Sequence, residues 1–197
     1  IVKELNDNGY VFLKNKLNQN FVEDLLNITK NLKCTNNQLS KNIPKVIFDK
    51  TIHKLSTYYY SENELIKNTK VLQIIDYLQK LSISEEYFKS KPYLVAVNMW
   101  WSTVNDNADS NAAQNYHFDL DGIKWLKYFV YLTDVTVTSG PHVYVEGTHK
   151  PFSKPYNILK RGYQRVSDKE IQNCYSSEKI KMITGKKGTI IIGDTSC

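Results

Sequence analysis

Residues 115–135 read NYHFDLDGIKWLKYFVYLTDV, and the fold turns on how this stretch is taken. From Lys124 to Val135 aromatic and β-branched residues dominate, with Gly122 as punctuation before them, which is the texture of a strand. Residues two apart on a strand point to the same side, so His117 and Asp119 share one face and Phe118 takes the other. A histidine and a carboxylate so placed can grip one metal ion. With a distant second histidine they form the facial triad that holds non-haem Fe(II) and leaves coordination positions open. By spacing alone the pair is a weak signal, because a strand histidine can equally be a hydrogen-bonded structural residue.

Outward from this stretch, residues 93–104, 115–120, 124–135, 141–146, 179–183 and 189–193 all carry strand composition. Gly122, Gly140-Pro141, Gly147 and the Gly185 to Gly188 segment separate them. The first half is helical in pattern. Residues 1–8 read as a helix closed by Gly9, followed by a short strand at 10–13. Phe21, Leu25, Ile28 and Leu32 fall at helical spacing over 20–33, with Asn20 as the expected N-cap. Ser61 and Glu64 form a capping-box pattern ahead of a helix over 62–81, which should brace the sheet. A second such pattern, Ser167 to Glu170, places a short helix in the irregular segment 152–178, an excursion expected to cover a barrel mouth.

Short strands joined by turns, with few helices between them, predict an antiparallel barrel or sandwich. No dinucleotide-binding glycine pattern and no phosphate loop argues otherwise. The expectation is a single domain over 1–197, mainly β with flanking helices (α+β), with a helical brace over about 1–90 and barrel strands over about 93–197.

Bulk properties remove several classes. The charge of +6 comes almost wholly from scattered lysines, Arg161 and Arg165 being the two arginines, so it reads as a solvated basic surface and no nucleic-acid partner is expected. Cys34, Cys174 and Cys197 are odd in number and widely spaced, giving neither a disulfide framework nor a zinc ribbon and fitting a reducing compartment. No apolar run approaches the roughly 18 residues that span a bilayer, and residues 1–25 lack signal-peptide layout. A cytoplasmic location without membrane association is expected.

The order of landmarks is more specific than any one of them. His117-Phe118-Asp119 leads to Tyr131-Leu132-Thr133-Asp134-Val135, then Gly140-Pro141, then Gly147-Thr148-His149-Lys150, and the chain closes on Gly188-Thr189-Ile190-Ile191-Ile192-Gly193-Asp194-Thr195. This resembles the phytanoyl-CoA dioxygenase family of Fe(II)- and 2-oxoglutarate-dependent oxygenases over at least residues 93–150. The resemblance implies a double-stranded β-helix, or jelly roll, with His117 and Asp119 as two iron ligands. It implies a third ligand, a histidine, just after Cys197 and an arginine for the cosubstrate a little further on, so the sequence is expected to be incomplete at its C-terminus. It also implies hydroxylation of a small molecule by Fe(II), 2-oxoglutarate and O2, with release of succinate and CO2. The competing expectation is a non-catalytic barrel module that keeps a vestigial or truncated metal site.

The far carboxylate of 2-oxoglutarate needs a cation or hydroxyl donors. The candidates are Lys127, Gln114, Asn98 and Ser102, and Trp101 is the candidate for the substrate pocket, with Trp100 beside it. His142 and His149 compete for the third metal position, although a strand side chain and a turn residue bonded to the backbone are the plainer readings of them. His53 reads as surface or packing. Asp121 reads as a turn cap, or as support for the ligands, before Gly122.

Overall fold

The computed structural model describes residues 1–35, 46–49, 57–103, 115–120 and 122–197. In chain order the elements are α1 (Val2–Asn8), β1 (Tyr10–Phe12), α2 (Gln19–Thr29), β2 (Lys33–Thr35), β3 (Val46–Ile47), β4 (Thr57–Tyr60) and α3 (Glu62–Leu65). Then come α4 (Thr69–Lys80), α5 (Ile83–Phe88), β5 (Trp100–Ser102), β6 (Lys127–Val130), β7 (His142–Val145), α6 (Tyr156–Leu159), α7 (Asp168–Cys174), β8 (Ile180–Ile183) and β9 (Ile190–Gly193). The result is mixed α and β, with antiparallel sheets throughout the described pairings.

β9 organises the molecule. It lies between β1 and β6 in a three-stranded sheet, and all four of its residues are buried. Such an unbroken apolar run belongs to a strand covered on both faces. Ile190 and Ile192 pack with Leu5, Val11, Leu13, Ile83 and Tyr87, beneath α1 and α5. Ile191 points the other way, with Tyr144 and Ile183 of the facing β7–β8 pair and with Tyr10, Phe129 and Tyr131. Each isoleucine so buried is worth about 1.5–3 kcal/mol over exposure. The β3-β2-β4-β5 sheet carries a second core of Leu25, Cys34, Tyr58, Tyr60, Leu65 and Val71, closed by α2 and α4. Leu17 packs against both cores and so ties the two sheets together.

Two glycines are demanded by geometry. Gly9 closes α1 at φ 88°, a region that only glycine enters without strain. At Gly193 an added Cβ would stand 2.1 Å from Tyr144 Oη, so a side chain there is excluded.

Several boundaries differ from the sequence pattern. α2 begins one residue before Asn20, because Asn18 is the N-cap and its side chain accepts from Asn20 N–H. It ends at Thr29, which lets Lys33–Thr35 pair as a strand. The expected helix over 62–81 is two helices, α3 and α4, with a separate cap at Asn68. Ser61 makes no side-chain cap bond, and Glu64 pairs with Lys67 instead. α5 was not anticipated. Within 93–104 the described strand is Trp100–Ser102, and the exposed residues before it carry no strand pairing. The 115–120 segment makes a single bridge, Tyr116 to Val166, and 124–135 shortens to Lys127–Val130. The 152–178 excursion folds as α6 and α7 against the outward face of β7–β8, around Val145 and Ile180. Among the described residues no helix is long and apolar enough to cross a membrane.

α7 has a complete capping box, with Ser167 Oγ accepting from Glu170 N–H and Glu170 accepting from Ser167 N–H. Ser167→Ala is therefore expected to cost about 1 kcal/mol in urea unfolding, while Ser61→Ala, which breaks no cap bond, should leave the midpoint nearly unmoved.

Candidate metal centre

The segment from Asn115 to Leu120 is pinned at both ends rather than laddered into a sheet. Val166 N–H donates to Tyr116 O at 2.8 Å, and Asp119 N–H donates to Thr195 O at 2.8 Å. Between the pins Phe118 turns into a core of Val145, Ile158, Val166 and Ile171. Alternation then sends His117 and Asp119 to the opposite side, as the sequence spacing requires.

His117 shares its Nδ1 with Asn115 O at 2.9 Å. That contact assigns the proton to Nδ1 and leaves the lone pair on Nε2, the orientation that backbone carbonyls impose on metal-binding imidazoles. Nε2 faces Asp119 Oδ1 at 3.8 Å, too far for a hydrogen bond. The ring is packed edge-on against Tyr163, with centroids 5.8 Å apart. Burial is the main cause holding the His117 pKa below 6.5, with the charges of Arg165 and Lys127 acting in the same direction. The imidazole is therefore neutral at physiological pH and able to act as a ligand.

Asp119 is almost fully buried, and its oxygens are divided. Oδ1 faces His117, while Oδ2 takes Lys127 Nζ at 2.5 Å. Burial alone would raise the carboxyl pKa. Lys127, with the nearby Thr195 hydroxyl and His117, outweighs it and holds the group below its ordinary 3.8. Lys127 thus points inward from β6, at the carboxylate.

Around this pair β6 and β7 supply a wall. Phe129 packs against His142 with centroids 4.5 Å apart. Tyr144 lies over Gly193 and against Tyr10, its hydroxyl buried without a hydrogen-bonding partner and close enough to Asp119 to feel its charge. Sequence reasoning missed Tyr144 and Thr195. The available signal for Tyr144 was its place two residues after His142 on a strand, and for Thr195 its position just beyond β9.

The remaining candidates are placed as follows. Asn98 and Ser102 are exposed, Ser102 on β5 opposite Thr57. Trp101 donates its indole N–H to Tyr60 Oη at 3.1 Å and stacks on Phe48 within the second core. His149 Nε2 contacts Asn6 O at 3.1 Å and its Nδ1 faces Cys197 Sγ at 3.8 Å, so it serves the turn and the end of α1. Gln114, His53 and Asp121 lie outside the described residues. Among the described residues no three His, Cys, Asp or Glu side chains gather as a metal cluster.

The donors present nevertheless fit a divalent first-row metal. A neutral imidazole nitrogen and an ionised carboxylate oxygen are its ordinary ligands, and here they face each other across 3.8 Å. The buried hydroxyl of Tyr144 lacks a partner on the Asp119 side of the wall, and a buried polar atom of that kind calls for a polar occupant.

No family model and no curated protein sequence matches the chain. The fold is shared with a solved structure, the epimerase SnoN in complex with Fe3+, alpha ketoglutarate and nogalamycin RO, at a TM-score of 0.60 and 14% identity, over 99% of this chain and 73% of that one. The likeness defines the class of fold, one that in SnoN accompanies iron and an oxo acid.

His142 gives this wall a pH signature. Its ring is open to solvent on one side but crowded by protein on the others, and burial, aided by Lys127 and His117, pushes its pKa down to about 4. The open face moderates the size of that shift and leaves its direction. Because the folded pKa lies below the unfolded 6.5, the unfolded chain takes the proton first as pH falls. The stability contribution is whole above 6.5 and lost progressively toward pH 4. His142→Phe should flatten the slope of urea-measured stability across that window; an unchanged slope would place the titrating group elsewhere.

Proposed function

We propose that this chain is a domain of an Fe(II)- and 2-oxoglutarate-dependent oxygenase with a double-stranded β-helix core, acting on a small molecule. The observation that carries the reading is the His117 and Asp119 arrangement. Two ligand atoms of the right chemistry stand 3.8 Å apart on one inner face, with the imidazole tautomer set by Asn115 O. The fold shared with an iron- and alpha-ketoglutarate-bound protein supports it, as does the ordered resemblance from His117 to Lys150.

In this reading His117 Nε2 and Asp119 Oδ1 bind the metal, and Asn115 O and Lys127 orient them. When bound, iron with 2-oxoglutarate and O2 supplies the oxidising power for hydroxylating a C–H bond, with succinate and CO2 as by-products. The protein's own contribution is positional. The wall of Phe129, His142 and Tyr144 limits access by water, and Lys127, Gln114, Asn98 and Ser102 are the proposed polar contacts of the cosubstrate. Trp101 is the proposed substrate contact, and hydroxylation is the proposed outcome.

The test is anaerobic addition of Fe(II) and 2-oxoglutarate, followed by succinate measurement in air. Metal-dependent 2-oxoglutarate binding and succinate formation are expected, with His117→Ala and Asp119→Ala each lowering metal affinity by at least about tenfold, the scale of losing one ligand or its support. Binding that persists without any succinate would favour the non-catalytic module. Absence of metal-dependent 2-oxoglutarate binding would remove the oxygenase reading and leave the non-catalytic module with a vestigial metal site.

A further inference from the structure

Lys127 is the cation paired with Asp119, while the charge of Arg165 acts on His117, and the position of the lysine is built rather than incidental. It lies opposite Gly193 in the β6–β9 register. Antiparallel partners share a face, and on that face Gly193 contributes no side chain, so the lysine stem has room beside Tyr144. The ammonium takes Asp119 Oδ2 and leaves Oδ1 toward His117. A divalent ion held by His117 Nε2 and Asp119 Oδ1 would share one carboxylate with a second positive charge a few ångströms away.

Like charges at that separation oppose each other. The same two charges both favour an anion arriving beside the metal. We propose that Lys127 tunes the two binding events at this site in opposite directions, weakening the bare divalent metal and strengthening an anionic chelating cosubstrate on the metal-loaded protein. The inference rests on the Fe(II) and 2-oxoglutarate reading and deepens it: one lysine sets the affinity of the site for the metal alone and for the oxo acid in opposite directions.

A purely structural Lys127 behaves differently. If it only steadied Asp119, removing it would loosen the ligand and weaken metal and oxo acid together. The proposed role predicts changes of opposite sign.

The measurement is calorimetric titration of the full-length protein under anaerobic conditions, with Mn(II) standing for Fe(II), then 2-oxoglutarate added to the Mn(II)-saturated protein. Lys127→Met is expected to bind Mn(II) alone about tenfold tighter and 2-oxoglutarate about tenfold more weakly, the scale on which a nearby unit charge moves a binding constant. Lys127→Arg, which keeps the charge, should stay near wild type in both. Lys127→Gln provides the same comparison should the methionine variant fail to fold, and a thermal melt checks each protein. Weakening of both ligands, or no change in either, overturns the role of Lys127 while metal and oxo-acid binding by the wild type leaves the oxygenase reading standing. A chain that binds neither ligand in wild-type or variant form overturns both.

Discussion

The site depends on one backbone hydrogen bond, from Asp119 N–H to Thr195 O. The 115–120 segment has no ladder of its own and is therefore held by what it touches. Thr195 lies two residues past β9, the strand buried on both faces, so the bond ties an irregular segment to the deeply buried centre of the molecule. Asp194, one residue earlier, locks that end further. Its side chain accepts from Tyr87 Oη at 2.6 Å and from Ser196 Oγ at 2.6 Å, and its N–H donates to Gly9 O at 2.8 Å. A carboxylate placed by such an anchor inherits the precision of the core, which is what the proposed metal site requires of its supports.

The same placement creates an electrostatic problem. A buried carboxylate without a partner is costly, and the usual resolution is to take up a proton. Lys127 against Oδ2, the Thr195 hydroxyl and His117 together prevent that, so Asp119 stays ionised despite its burial. His117 resolves its own burial in the opposite way, by staying neutral. The carboxylate is kept charged by its neighbours and the imidazole uncharged by its surroundings, and each ends in the state that the proposed metal site needs.

What the sequence made legible follows from which residues obey local rules. Gly9, the Ser167 capping box, the apolar face of α2 and the shared face of His117 and Asp119 were readable because each is set within a few residues. The N-cap at Asn18 rather than Asn20, and the break between α3 and α4, were misplaced because both ends of each helix carry competing polar residues. The 93–104 run has strand composition, yet most of its described residues lack a pairing partner, and strand propensity expresses fit to a neighbour more than a preference of the chain. Lys127 was legible as a candidate but not as a partner of Asp119, since that contact depends on the β6–β9 register and on the anchor at Thr195, neither of which is local.

Gly193 shows how far such non-local constraint reaches. It is paired with Tyr10 on one side and Lys127 on the other, so a single row crosses three strands on the inner face. A side chain at its centre would collide with Tyr144, and the absence of one lets that ring cross from the facing sheet and settle against Tyr10. The glycine therefore permits two things at once: close approach of the two sheets, and an inward lysine beside the carboxylate. The fold is shared with SnoN at 14% identity. Burial patterns and register preserve the framework, whereas chemistry is decided by which side chains the framework leaves room for. In this chain that room lies over Gly193.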